Sequence, residues 1–273
     1  MLRDITIGQY YPTNSVVHQM DARFKILATF GLLTLLFLVQ SLVAYVPIVI
    51  FLLALIKITG VPLKFVLRGL KPIVIIILLT VSINLFMTPG VTLVKFWFLT
   101  ISYEGLRQAV FMASRLMLLI MGSSMMTFTT SPIELTDGIE HLLNPFKRIG
   151  VPAHEIAMMM SIALRFIPTL LEETDKIMKA QMARGADFET GSLIHRAKSL
   201  VPILVPLFIS AFRRADELAM AMESRCYRGG NERTRMKNLQ YTVRDAYGLL
   251  AMVLLMCSVI GANVIMAGFG YAI

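Results

Sequence analysis

Five apolar runs, at about residues 26–39, 42–56, 72–88, 107–128 and 247–269, dominate this chain of 273 residues. A bilayer crossing needs roughly 20 apolar residues, with about 17 as the lower limit. The last run, Tyr247 to Phe269, meets that need by itself. Hydrocarbon offers no water to backbone N–H and C=O groups, so runs of this kind can cross only as helices. Composition points the same way, since 56% of the residues are hydrophobic and 16% charged, too few charges and too much apolar surface for an ordinary soluble domain. The expectation is an all-α integral membrane protein with about five transmembrane helices plus a helical region outside the bilayer. The polar start Met1-Leu-Arg-Asp, with no apolar segment and cleavage site behind it, predicts no cleaved secretory signal.

Charge sets the expected topology. The net charge of +9 would suggest a nucleic-acid partner on a soluble chain. Here the basic residues flank apolar spans, so they read as topology signals, and no nucleic acid is expected. The first two runs are short and almost continuous. Arg23 and Lys25 precede the pair, Lys57, Lys64, Arg68 and Lys71 follow it, and nothing basic lies between. Both ends then stay on the cytoplasmic side, and the pair reads as a hairpin turning near Gln40-Ser41. The third run leads to Met87-Thr-Pro-Gly90 and a strand-like or interfacial loop, VTLVKFWFLTISY, whose Phe residues and Trp97 suit a headgroup layer on the outside. The fourth run returns inside and the fifth takes the C-terminus out.

Residues 128–246 hold 16 Lys and Arg against 14 Asp and Glu, and the rest of the chain holds 10 against 3. The chain thus divides into residues 1–128 (about four spans), 129–246 (a cytoplasmic coupling region of amphipathic helices) and 247–273 (a last span). Within the insert, Ser131-Pro-Ile-Glu134 is a capping box with Pro132 at the first helical position. The helix it opens should stop at Asn144-Pro145. Pro152 should start the next, kinked near Pro168 and ending at Arg184. A break at 185–191 follows. The next long helix carries Leu204, Phe208, Ala211, Ala215, Leu218 and Met222 at alternating spacings of 4 and 3, an amphipathic stripe. Continued by three, it reaches Arg225.

Two segments of this insert repeat one pattern. AQMARGADF and AMESRCYRGG both read A-x-x-[AS]-R-[GC], with Arg184 and Arg225 separated by 41 residues. A single arginine at a helix C-terminus usually serves the helix dipole, for about 0.3–1 kcal/mol. Two, each between small neighbours (Ala183 and Gly185, Ser224 and Cys226), suit insertion of unscreened guanidinium groups into acidic pockets, where planar bidentate contacts are strong. A basic helix lying on anionic lipid would spread Lys and Arg along its polar face. This one instead mixes Arg213 and Arg214 with Asp216, Glu217 and Glu223.

Elsewhere the sequence excludes more than it suggests. It has no G-x-x-x-x-G-K-[ST] nucleotide loop and no H-E-x-x-H. Glu172-Glu173 resembles the paired glutamates of intramembrane prenyl-protein proteases, but Ile177 stands where those have Arg. His18, His141, His154 and His195 have no metal-ligand spacing, and no nucleophile has a base partner, so neither metal, cofactor nor enzymatic activity is expected. Cys226 lies in a basic segment and Cys257 in an apolar span, which argues against a disulfide. Arg115, inside the fourth run, is either a functional intramembrane charge or an arginine facing the helix bundle. Asn84 is expected to hydrogen-bond between helices.

In order along the chain, QYYPTNSVVHQMDARFKIL, YEGL at 103–106, SPIEL at 131–135, LLNPFKRIGVPAHE, LRFIP at 164–168, AQMARGADF and AMESRCYRGG together resemble the transmembrane T component of energy-coupling factor vitamin transporters. The resemblance runs from about residue 9 to the last span. It implies a multi-pass protein of the bacterial cytoplasmic membrane, with its N-terminus and coupling region cytoplasmic. It further implies that Ala183-Arg184-Gly185 and Ser224-Arg225-Cys226 dock into two ABC-type ATPases. A separate membrane protein, the S component, would bind the vitamin or other micronutrient. Leu204, Phe208, Ala211 and Leu218 would form a packing face that moves with Arg225. The second motif departs from the commoner Ala-Arg-Gly at Cys226. Competing readings are the permease of an ordinary ABC importer, which forms the substrate path itself, and a membrane scaffold without a transport role.

Overall fold

The computed structural model describes residues 10–96, 99–188, 192–229 and 239–268. They form nine α-helices and one short β-ribbon among the described residues. The helices are α1 (Ala22–Leu38), α2 (Tyr45–Thr59), α3 (Leu63–Leu70), α4 (Val74–Met87), α5 (Tyr103–Thr129), α6 (Pro132–Leu143), α7 (Ala153–Ala183), α8 (Leu193–Glu223) and α9 (Val243–Gly268). The described chain divides into two compact units, 10–138 with 239–268 and 139–229. The division falls inside α6, ten residues beyond the boundary at 128 that charge alone suggests.

In the first unit, α1, α2, α5 and α9 share one core. Leu32, Leu35, Leu36 and Val39 meet Ile48, Leu52, Phe111, Leu118, Leu255 and Val259 there. Their spacings of three and four put each set on one helix face. The opposite faces stay apolar and uncovered. No residue of α4 is buried, and its Ile75 and Leu78 are 77% and 65% exposed. Uncovered Ile and Leu at this density are stable against lipid, not water.

Five helices among the described residues are long and apolar enough to cross a bilayer: Leu42–Thr59, Leu63–Met87, Tyr103–Thr129, Ala153–Ala183 and Val243–Met266. The number agrees with the sequence expectation, but the membership differs. α1 stops at 17 residues, about 26 Å at 1.5 Å per residue, whereas α7 qualifies in its place. The sequence shows the apolar stretch Ile156–Leu171 of α7, but the charged residues clustered after it assign the whole helix to the insert rather than to the spans.

The first two apolar runs are separate helices. The chain between them is extended at Val39 and Ser41. Asn263 of α9 holds the break by accepting from Gln40 N–H at 3.2 Å and donating to the Leu38 carbonyl at 3.0 Å. Arg115 donates to the Val39 carbonyl at 3.0 Å and to the Tyr45 hydroxyl at 3.3 Å, and its guanidinium lies 4.6 Å from the Phe111 ring centre. It therefore faces the bundle and satisfies the open carbonyl end of α1, where a cation also suits the helix dipole.

Between α4 and α5, Thr92–Phe96 pairs antiparallel with Leu99–Ser102. The tip with Trp97 lies outside the described residues. The Y-E-G-L signature explains the turn into α5. Ser102 Oγ accepts from Gly105 N–H as the N-cap, and Glu104 accepts from Val91 N–H at 2.7 Å. A Cβ on Gly105 would come within 2.9 Å of the Asn84 carbonyl, so only glycine lets α5 pass α4 this closely. Asn84 itself donates to Thr80 within α4, not across helices as expected. Its side chain satisfies a neighbouring carbonyl of its own helix.

In the insert, α6 starts at Pro132, with Ser131 Oγ accepting from Glu134 N–H at 3.3 Å. It ends at Leu143, before the Asn144–Ile149 turn. α7 runs unbroken as a helix through Pro168.

Candidate functional site

Both repeated segments close their helices in the same way. At the end of α7, Ala186 N–H donates to the Gln181 carbonyl and Gly185 N–H to the Met182 carbonyl, each at 3.0 Å. At the end of α8, Tyr227 N–H donates to the Met222 carbonyl at 3.0 Å and Cys226 N–H to the Glu223 carbonyl at 2.8 Å. Each pair is a Schellman motif, which satisfies the otherwise orphaned carbonyls of the last turn. The motif needs a left-handed residue straight after the cap. Gly185 fills that place with φ 87°, and Cys226 with φ 56°, the one non-glycine residue at positive φ among the described residues. Arg184 and Arg225 thus occupy equivalent C-cap positions.

Both arginines are exposed, as are Ala183, Gly185, Ser224 and Cys226 around them. Among the described residues, neither guanidinium has a hydrogen bond or an ion pair. A cap that fixes the backbone and leaves the fork free is preorganised for an anionic partner.

α7 and α8 pack against each other in opposite senses. Gln181 donates to the Pro202 carbonyl at 3.4 Å. Eight residues earlier on α7, Glu173 accepts from Ser210 Oγ and, at 3.2 Å, from Arg214. Glu173 lies eleven residues before Arg184, and Arg214 eleven before Arg225, about 16 Å along each helix. Glu173 and Arg214 are themselves 41 residues apart, the spacing of the two arginines. Equivalent positions of the two copies therefore touch, as they would across a local two-fold axis. The arginines end two arms of equal length that point in opposite senses.

The stripe on α8 sits beside this seam. Ile203 is buried and Ser210 and Arg214 turn to α7, while Ala211 and Leu218 are half-buried. Leu204 and Phe208 are 46% and 60% exposed. The period is right, but the face toward α7 is offset by about one residue, because the contact is made by Ser210 and Arg214.

Sequence reasoning missed a polar cluster in the first unit. Lys25, treated as a charge flanking a span, is buried inside α1 and donates to the carbonyls of His18 (3.1 Å) and Thr129 (2.8 Å). The second contact closes the C-terminus of α5. Asp245, also buried, accepts from Asp21 N–H at 2.8 Å and from the amide and hydroxyl of Thr242 at 2.7 and 2.9 Å. Asp21 in turn caps α1 and pairs with Arg23 at 2.7 Å, and Arg23 lies 4.2 Å from the Tyr241 ring centre. Asp245 caps α9 while holding the start of α1. The T-x-x-D before the last span was the available signal, a capping box whose carboxylate is one methylene shorter than the usual glutamate. His18 accepts from Ser15 Oγ at Nδ1 (2.7 Å) and donates to the Tyr11 carbonyl from Nε2 (3.0 Å). Burial is the main cause that lowers its pKa below the usual histidine value.

These features define a class: a multi-pass α-helical membrane protein with two equivalent exposed arginines on a paired-helix insert and polar clusters that serve helix ends. Comparison with known proteins identifies the class further. The family model described as cobalt transport protein (CbiQ) matches residues 13–236, and the chain belongs to that family. It is 60% identical over 254 residues to the energy-coupling factor transporter transmembrane protein EcfT of Thermosediminibacter oceani, covering 93% of this chain and 96% of the relative. Identity to the protein of the same name from Clostridium kluyveri is 59%, covering 94% and 96%. For Bacillus subtilis it is 45%, covering 93% and 97%.

Proposed function

We propose that this chain is the transmembrane coupling subunit of an energy-coupling factor importer, and that Arg184 and Arg225 each dock one of two cytoplasmic ABC-type ATPases. The observation that carries this reading is the identical closure of two helix ends, equally distant from one contact, with both guanidinium groups unengaged among the described residues. An acidic groove on each ATPase would accept a planar fork at a fixed height above the helix end. Truncating one partner of such a buried, hydrogen-bonded charge pair costs about 2–5 kcal/mol. Closure of the ATPases on ATP would then draw on both arms together. A separate S component would bind the vitamin or other micronutrient, and Leu204, Phe208 and the 67%-exposed Phe212 offer it an apolar surface. The N-terminus and the insert lie in the cytoplasm in this scheme. The chain itself hydrolyses nothing.

Stoichiometry tests the scheme. Mass spectrometry of the gently solubilised complex should find one copy of this chain with two ATPase subunits and one small substrate-binding membrane protein. A homodimer of this chain around a pore, with substrate bound by the chain itself, would contradict it and favour an ordinary permease.

A further inference from the structure

We propose that Glu173, clamped by Ser210 and Arg214, is the pivot that fixes the angle between α7 and α8 and so keeps the two arginine-bearing arms equivalent. This inference rests on the coupling reading above and adds to it a residue that touches neither ATPase nor substrate. Three observations lead to it.

First, apolar packing does little to set the angle. Among the described residues, Ile203 is the one buried apolar residue of α8, and in α7 only Ala153 and Ala157 are buried, some twenty and sixteen residues before Glu173. A pair of 31-residue helices with so few fully buried side chains has only a half-exposed apolar seam to fix its crossing. Second, the carboxylate is fully used. One oxygen of Glu173 takes the Ser210 hydroxyl and the other takes the Arg214 guanidinium at 3.2 Å. Two contacts on adjacent turns of α8 hold one side chain of α7 and resist rotation as well as sliding. Third, the position is symmetric. Glu173 and Arg214 are separated by the same 41 residues as Arg184 and Arg225, and the contact lies eleven residues from each arginine. A clamp elsewhere along either helix would give arms of unequal length.

Glu172-Glu173 matches a protease signature only imperfectly, and a structural role for Glu173 follows from the α8 contacts. Breaking the clamp should leave both Schellman caps and both arginines in place, so docking survives while the angle loosens.

The test is a distance measurement on the full transporter complex in lipid nanodiscs. Spin labels are placed at Met182→Cys and Glu223→Cys, equivalent positions near the two arm ends, in a background of Cys226→Ser and Cys257→Ser. With Glu173 and Arg214 intact, double electron–electron resonance should give one narrow distance distribution. Glu173→Arg alone, or Arg214→Glu alone, sets like charges against each other and should at least double its width. Glu173→Arg with Arg214→Glu restores the opposite pair and should return the narrow distribution. Copurification of the two ATPases is followed on the same samples. An unchanged width in both single variants overturns the pivot, and so does a double variant as broad as the singles. Failure of the ATPases to copurify even with the unmutated pair would count against the coupling reading instead.

Discussion

Replacing Gly185 by alanine perturbs one docking end while leaving its arginine untouched. Gly185 has φ 87°, beyond the window of about +50° to +70° that L-residues tolerate. Cys226 at φ 56° lies inside that window. Forcing a Cβ into the left-handed region costs roughly 1–2 kcal/mol, and nothing surrounds Gly185 that could offset this, since an added Cβ meets open space. The cost therefore falls on the Schellman turn itself, and its opening equilibrium should rise roughly 5–30-fold. Hydrogen exchange read by mass spectrometry reports this directly through the Gly185 and Ala186 amides, the two donors of the motif. Their exchange should accelerate by that factor, with the middle of α7 unaffected. The converse change, Cys226→Gly, should slow exchange at Cys226 and Tyr227, because it relieves a mild strain. Unchanged exchange in Gly185→Ala, or faster exchange in Cys226→Gly, would refute the equivalence of the two caps.

Three further outcomes follow from the first unit and from the proposed topology. Asp245→Ala removes three hydrogen bonds and strands the buried Asp21 amide, so the detergent-solubilised protein should lose about 2–4 kcal/mol, seen as a clear drop in unfolding temperature. His18 has a lowered pKa in the fold, so its neutral form contributes stability that is full above the unfolded value of about 6.5 and declines as pH falls through the folded value. His18→Gln should flatten that acid limb between pH 7 and pH 5 in thermal scans. With Cys226 and Cys257 replaced by serine, Val91→Cys should react with an impermeant maleimide from outside intact cells, and Ser224→Cys only after permeabilisation.

The sequence made the helices and the device at their ends legible for different reasons. Apolar length and capping chemistry are local, so α6 can be read from Ser131-Pro-Ile-Glu134 and its stop at Asn144-Pro145. The repeat around Arg184 and Arg225 can be read because both copies need the same cap residues. Contacts between distant segments left no such trace. Lys25 looks like a topology charge until α5 places the Thr129 carbonyl beside it, and the two readings of Arg115 stay level until the break at Val39 gives it a bundle-facing partner. α7 can be read from Pro152 to Arg184, but the charged half beside its apolar half kept it out of the count of spans. The offset of the α8 seam could not be read from period alone, because a polar clamp fixes it.

The most direct measurement of the coupling claim counts ATPase subunits and follows substrate uptake in one set of preparations: unmutated, Arg184→Ala, Arg225→Ala, and both together. Loss of each arginine should weaken the hold on one ATPase and depress uptake, and the double variant should retain neither ATPase while still inserting in the membrane. Lysine at either position should restore little, since a point charge lacks the planar fork. A double variant that keeps two ATPases and imports at the unmutated rate would contradict the account.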